Sequence, residues 1–411
     1  MFRFYLGLTF KNLFRHKRRT ILTALAIAIG IFFYILFDSI MTGIDRDAVN
    51  SILDLETGHF QIVAPAPEEN QGKINLKYLL PEGGKLAQRV AGLPGVKGTT
   101  PRLIFPASLI SSIDELPVTG VGVDPKLDPT VFKIRDSVKG RWLRPGESET
   151  VVGKKIATLL EIKVGDTITV RTQTKQNTFQ ALDLTVVGIV DSVDPVVNEG
   201  QFFIPLDTAE RALSTGTAVS QIAVKTVDYS KMNPAIQAVE KLQVPGENFR
   251  IKTWHEVAEA FLSGIQMKQK FIVVLLLMVA LIAIIGVVNS TLLASLERVR
   301  EIGILKAMGM TEGEIVRLFN YEALGLGFLG GLGGVILGVI TNLYLVNVGI
   351  DLTKMYGEMN MGLSVGKMYG VWNWSGILGA FALGIVISWL ASHFPARKAA
   401  RVDPAVSLRR I

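Results

Sequence analysis

Residue types that do chemistry are present in this 411-residue sequence, but not at spacings that chemistry can use. A phosphate-binding loop requires G-x-x-x-x-G-K-[ST]. Gly153-Lys154-Lys155 has neither that spacing nor the Ser or Thr. His255-Glu256 opens like the zinc motif H-E-x-x-H, yet Val257-Ala258-Glu259 follow, so the last ligand is missing. His16, His59 and His393 are widely separated, and Asp191, Asp194 and Glu199 read as solvated loop acids rather than a catalytic pair. The chain has no cysteine, which excludes disulfides and thiolate metal sites. The expectation is a protein with no catalytic, cofactor-binding or metal residues of its own, and not an enzyme.

One charged stretch has a different character. It runs Leu296-Glu297-Arg298-Val299-Arg300-Glu301-Ile302-Gly303-Ile304-Leu305-Lys306-Ala307-Met308-Gly309-Met310-Thr311, between two long apolar runs. At roughly 2.5–3.5 kcal/mol for each charge at membrane depth, burying Glu297, Arg298, Arg300, Glu301 and Lys306 in lipid would cost over ~10 kcal/mol. The segment must lie outside the hydrocarbon. Ile302, Leu305 and Met308 share one helical face while Arg298, Glu301 and Lys306 lie elsewhere, so a short amphipathic helix is expected. Gly309 would end it, and Thr311 to Glu314 forms a T-x-x-E capping box for the next helix. A short helix fixed between two spans is suited to docking on a soluble partner.

The flanking elements follow from composition. Hydrophobic residues make up 49% and charged residues 19%, below the ~25% usual for soluble domains. A helix needs about 20 largely apolar residues to cross the hydrocarbon core, and four segments qualify. Transmembrane helices are expected at 20–44, 271–293, 314–347 and 373–394. The first is read as an uncleaved anchor, because its apolar run continues through Ile29, Ile31, Phe32, Phe33, Ile35 and Leu36 with no polar cleavage region. Net charge is +7, concentrated at the ends: Arg3, Lys11, Arg15, Lys17, Arg18 and Arg19 precede the first span, and Arg397, Lys398, Arg401, Arg409 and Arg410 follow the last. This positive-inside pattern places both termini in the cytoplasm and argues for a membrane rather than nucleic acid as partner. Residues 1–19 read as a basic amphipathic helix on the inner leaflet, 294–313 as the cytoplasmic segment, 348–372 as an outer loop and 395–411 as a basic tail. Asp38 and Glu322 are the ionisable residues nearest the spans, and both are placed at span ends near water, which leaves no midplane carboxylate for a proton relay. Small residues recur at four-residue spacing suited to close helix packing: Gly286, Ser290 and Ala294 in the second span, the pairs Gly327–Gly331, Gly330–Gly334 and Gly334–Gly338 in the third, and Gly376, Ala380 and Gly384 in the fourth.

Residues 45–266 have ordinary soluble composition and form a large extracytoplasmic domain. The expected fold is membrane α-helical, four transmembrane helices, with an extracytoplasmic α+β domain. Within it a discontinuous α/β subdomain (58–117 and 218–253) holds a β-rich insert (118–217). Gly58 to Val63, Ser220 to Thr226 and Phe249 to Thr253 read as strands, Lys85 to Leu93 and Met232 to Leu242 as helices. Residues 254–270 read as a stalk helix broken only at Gly264, and Ser39 to Leu55 is also helix-compatible, so the two could transmit movement.

E-R-x-R-E-I-G-I-L-K-A-M-G at Glu297–Gly309 resembles the cytoplasmic signature of the MacB/FtsX/Lol superfamily of ABC transporter permeases. Pro395 to Arg409 resembles its terminal P-A-R-x-A-A-x-x-D-P-x-x-x-L-R, and Asn12 to Thr20 its basic entry. The outer-domain stretches Thr57–Ile62, Leu160–Thr169, Val187–Val190 and Phe203–Ala209 resemble the lipoprotein-releasing LolC/LolE branch. The resemblance implies a multi-pass inner-membrane protein with a periplasmic domain, paired with a second permease subunit as a homo- or heterodimer. It implies a separate soluble ABC ATPase that binds the ATP and docks on 297–309, giving Glu297, Arg298, Arg300, Glu301, Gly303, Leu305, Lys306 and Gly309 an ATPase-coupling role. Its leading implied function is extraction of lipoproteins or other lipidated cargo, with a possible periplasmic chaperone as acceptor. MacB-like efflux of peptides or small toxic molecules, and an FtsX-like scaffold regulating a cell-wall hydrolase, remain alternatives.

Overall fold

The computed structural model describes residues 7, 9, 15, 17–67, 74–111, 114–192, 194–242, 249–351 and 367–401. The helix expected over 1–19 falls largely outside the described residues, as do most of the 348–372 loop and residues 402–411 of the basic tail. The chain forms two compact units, one of residues 1–46, 264–352 and 367–411, the other of 47–263 and 353–366.

In chain order, α1 (Lys17–Ser51) ends in a π-helical turn, Ile52–Thr57. There follow β1 (Phe60–Val63), α2 (Gly83–Ala91), β2 (Val96–Ile110), β3 (Glu115–Val123), α3 (Asp128–Val131), β4 (Val138–Gly140) and β5 (Glu149–Gly153). Next come α4 (Lys154–Leu159), β6 (Thr167–Gln173), β7 (Phe179–Val190), α5 (Pro195–Gly200), β8 (Gln201–Pro205) and α6 (Leu206–Leu213). The sheet-bearing unit closes with β9 (Gln221–Thr226), α7 (Asn233–Glu240), β10 (Arg250–Thr253) and α8 (Trp254–Val257). The chain then runs through α9 (Glu259–Glu297), α10 (Val299–Ala307), α11 (Glu312–Asn347) and α12 (Trp374–Ala400).

Among the described residues, α1, α9, α11 and α12 are the helices long and apolar enough to cross a membrane. Lipid supplies no hydrophobic drive between helices, so close backbone approach must hold them together. A side chain at Gly334 would stand 2.6 Å from the Ala28 carbonyl oxygen, and one at Gly330 2.7 Å from that of Ala24. Gly338 faces Ile35, Gly327 faces Ser388, Gly331 faces Phe381, and Gly384 faces Ile31. Gly376 lies against Asn373 and Asp38, which are joined by a 2.9 Å hydrogen bond from the asparagine amide. Gly286 differs: a side chain there would meet nothing within 4 Å. Polar links supplement the packing, with Thr23 donating to Ser290 at 3.0 Å and Ser392 to Asn320 at 3.0 Å.

Helix α12 continues through Pro395 to Ala400, so the first part of the expected basic tail is helical. The proline removes one helical hydrogen bond. Burial of Ala396, Ala399 and Ala400 against Ile302, Ile315 and Phe319 offsets that loss. The stalk also departs from expectation. Its break falls at Ala258 (φ −96°, ψ 19°), after a Thr253–Glu256 capping box ends the run from β10, and Gly264 stays helical.

In the sheet-bearing unit one mixed sheet runs β10-β1-β9-β2-β3-β8-β5-β7-β4, with β6 pairing β2 and β7. The expected discontinuous α/β part and β-rich insert are both present, and they share a strand. Residues 96–102 of β2 pair with β9, whereas 102–110 pair with β3. On one side of this switch Phe60, Ile62, Val90, Ile222, Val224 and Trp254 form a core with α2 and α7. On the other, the sheet is covered on both faces: Phe202 and Ile204 enter one cluster and Phe203 the opposite one. That explains the uninterrupted apolar run in β8, since alternation disappears when both faces are buried. Arg102 sits at the switch, making two bonds to Asp128 (2.8 and 3.0 Å) and stacking 3.3 Å from the Phe132 ring centre.

His59, just before β1, is buried, and its Nδ1 accepts the Thr226 backbone N–H at 3.1 Å. Burial pushes its pKa down from 6.5 to about 4, and the Lys225 ammonium adds to the effect. Between those values the unfolded chain binds the proton and the folded one does not. Stability present above pH 6.5 should therefore fall as pH drops toward 4. The loss should be of order 3 kcal/mol, read as a lower melting midpoint of the detergent-solubilised chain, and His59→Gln should flatten the dependence.

Substitution at the glycines separates close contacts from open positions. Gly334→Leu should destabilise the chain by about 1–3 kcal/mol through overpacking against α1. Gly286→Leu should leave the melting midpoint of the isolated chain unchanged. Equal losses from both would contradict the packing described.

Candidate functional site

The charged segment forms a helix bounded by two breaks. At Arg298 the backbone (φ −109°, ψ 14°) leaves the geometry of α9, and α10 begins at Val299. After Met308, Gly309 adopts φ +97°, a conformation costly for any residue with a side chain. The Thr311 N–H then donates to the Glu314 carboxylate at 2.9 Å, completing the capping box that starts α11. Both turn signals expected from sequence are in place.

Packing fixes α10 on one side. Ile302 is buried among Ala294, Ile315, Phe319 and the last turn of α12, and Gly303 is buried as well. Lys306 donates to the Ala400 carbonyl at 2.8 Å, a cation at the C-terminus of α12, and lies 3.6 Å from Glu312. Leu305 is half-buried, while Arg300, Glu301, Ile304 and Gly309 are exposed. The expected face of Ile302, Leu305 and Met308 is not the buried one: Met308 is 79% exposed. The reason is electrostatic as well as steric, because Arg298 takes up part of the inward side, at 6% exposure.

Arg298 turns inward to a carboxylate. Its Nη1 donates to Glu322 of α11 at 3.3 Å, and Arg19 of α1 reaches the same carboxylate at 3.5 Å. Arg19 also bonds Glu297 at 3.2 Å, and Glu301 pairs with Arg15 at 2.9 Å. Glu322 is 5% exposed, which corrects its expected position beside water. It lies ten residues beyond the start of α11, about 15 Å along the helix axis. Arg19 and Glu322 belong to the site on this geometry; in sequence they read as a flanking charge and a span-end acid.

The acids of the sheet-bearing unit have structural roles. Asp194 is buried and caps α5 by accepting from Val196 and Val197. Asp191 accepts from Lys139 at 2.7 Å and Lys154 at 3.1 Å, and the Lys139 ammonium holds its carboxyl below the usual range. Glu199 is exposed. Glu256 belongs to the Thr253 capping box and pairs with Arg250 at 3.2 Å. No group of three or more His, Cys, Asp or Glu that could hold a metal ion occurs among the described residues.

Replacing Gly303 with Leu should disturb the packing of α10, because the position is buried. Glu301→Gln should remove the charge from an exposed position and disturb the packing of α10 little. The expected result is a lower melting midpoint for Gly303→Leu and an unchanged one for Glu301→Gln.

Two family models match the chain. A MacB-like periplasmic core domain covers residues 20–242, more than half of the sequence, and an FtsX-like permease C-terminal region covers 273–404. An uncharacterised ABC transporter permease of Methanocaldococcus jannaschii is 27% identical over 67% of this chain and 65% of its own length. The macrolide export ATP-binding/permease protein MacB of Pasteurella multocida is 26% identical over 96% of this chain and 58% of its own length. The lipoprotein-releasing system transmembrane protein LolE of Haemophilus influenzae is 24% identical over 93% of this chain and 92% of its own length. The chain thus spans less than two thirds of the first two relatives.

Proposed function

We infer function from one premise: the chain belongs to the MacB/FtsX/Lol family of ABC transporter permeases, with a MacB-like core domain and an FtsX-like C-terminal region. Our reading is that a partner ABC ATPase docks on α10 and that its cycle of ATP binding and hydrolysis moves the 47–263 unit. The observation that carries this is α10 itself. It is anchored inward by Ile302, Arg298 and Lys306, and it presents Arg300, Glu301, Ile304 and Met308 outward. A surface that is fixed behind and mixed polar and apolar in front suits a partner that must push rather than merely bind.

The basic residues flanking α1 and α12 support cytoplasmic termini and a periplasmic 47–263 unit in the inner membrane. A second permease subunit, identical or related, would complete the machine. For cargo, we propose lipoproteins or other lipidated molecules drawn from the outer leaflet, with release to a periplasmic chaperone as part of that reading. Similarity to LolE along 93% of the chain supports it. Similarity to MacB along 96% supports a second reading, export of a macrolide-like or peptide compound.

Affinity purification in mild detergent from the native host, with mass spectrometry of what co-purifies, tests both. An ABC ATPase with lipoproteins is the expected outcome. An ATPase with a periplasmic adaptor would favour export, and absence of any ATPase would overturn the docking reading. Glu301→Gln should lower ATPase co-purification while leaving membrane insertion intact.

A further inference from the structure

Glu322 links three elements. Through Arg19 it reaches α1, through Arg298 it reaches the root of α10, and it stands on α11. Both Glu322 and Arg298 are more than nine-tenths buried. Such a group is hard to explain by stability alone. Desolvation of two buried charges cancels most of their attraction, and replacing a buried pair with apolar residues is often neutral or stabilising. Arg298 makes the case stronger, because its Nε and Nη2 have no hydrogen-bond partner among the described residues. The Nε stands 4.0 Å from Glu301, too far for a hydrogen bond. A core built for stability would fill that volume with a leucine or methionine.

What the arrangement does supply is direction. A guanidinium held at a carboxylate from one side, with a second guanidinium on the other, defines where α10 sits relative to α1 and α11. An apolar contact would tolerate sliding. We propose that the Arg19–Glu322–Arg298 network is a positioning latch that ties α10 to α1 and α11, so that displacement of α10 is carried into both. Arg298, Glu322 and Arg19 are positioning residues in this sense, acting through the helix they hold. The latch rests on the docking reading for its role, but its geometry can be measured on this chain alone.

The absence of cysteine makes the measurement direct. Spin labels at Met308→Cys, at the end of α10, and Leu22→Cys, exposed on α1, report the distance between the two elements. Labelled full-length chain diluted with unlabelled chain in nanodiscs isolates the pair within one molecule. The unmodified network should give a single narrow distance distribution. Glu322→Leu leaves Arg298 buried without its partner and should lower the melting midpoint and broaden the distribution. Arg298→Met combined with Glu322→Leu should restore the midpoint, since Arg19 keeps Glu297, yet leave the distribution broad. Arg298→Lys, which keeps the charge on a more flexible side chain, should melt close to the parent with a distribution of intermediate width. A double variant, or an Arg298→Lys variant should the double not fold, with a distribution as narrow as the parent's would overturn the latch. Failure of the parent chain to co-purify an ATPase would instead overturn the docking reading, with the spin-label result unaffected.

Discussion

A carboxylate buried within a helical bundle stays ionised only beside a cation, and the cations that meet Glu322 come from two different elements. This constraint organises the region around it. Arg298 turns inward to Glu322, which removes it from the exposed face of α10, and the backbone departs from helical geometry at the same residue. With Arg298 inside, α10 rests on Ile302 and Gly303, and its outer face carries Arg300, Glu301, Ile304 and Met308. One buried charge therefore decides which residues are available to a partner.

The bundle is held by a different kind of force. Glycines at 327, 330, 331, 334, 338 and 384 remove side chains where α1, α11 and α12 meet, and the carbonyls of Ala24 and Ala28 approach within what a side chain would occupy. Dispersion over these close surfaces substitutes for the hydrophobic effect that lipid does not provide. Helix α9 contributes few such contacts, and Gly286 faces open space. Three helices are thus locked by shape, while α9 joins the bundle through buried Val287 and through Thr23–Ser290.

Much of this was readable in sequence because the physics is local. The four apolar segments, the charged interval 297–306 and the Gly309–Thr311–Glu314 turn follow from transfer cost, backbone sterics and capping. Alternation marked the strand at Gly58–Val63, whereas Phe202-Phe203-Ile204 in β8 gave no face because both are covered. Partners distant in sequence were not readable. Nothing near Glu322 announces Arg19, 303 positions earlier, or that Arg298 points inward. The same holds for Arg102 and Asp128, whose pairing depends on β2 changing partners midway. The end of the fourth span was misplaced for a related reason: helix α12 continues six residues into the stretch read as a basic tail, because Ala396, Ala399 and Ala400 are buried against partners far away in sequence.

The form of α9 connects these observations to function. It is a helix of 39 residues, about 58 Å long, bounded by single residues in nearly the same non-helical conformation, Ala258 (φ −96°, ψ 19°) and Arg298 (φ −109°, ψ 14°). The backbone departs from helical geometry at both positions while hydrogen bonds continue through them, the Ala258 N–H donating to the Trp254 carbonyl at 2.8 Å and the Ile302 N–H to that of Arg298 at 2.9 Å. At the Ala258 end the capping box of Thr253 and Glu256 fixes where the preceding helical turn begins. At the Arg298 end the residue that interrupts the helix is also the one bonded to Glu322. At that junction the charge pair with Glu322 and the burial of Ile302 together hold α10 against α11.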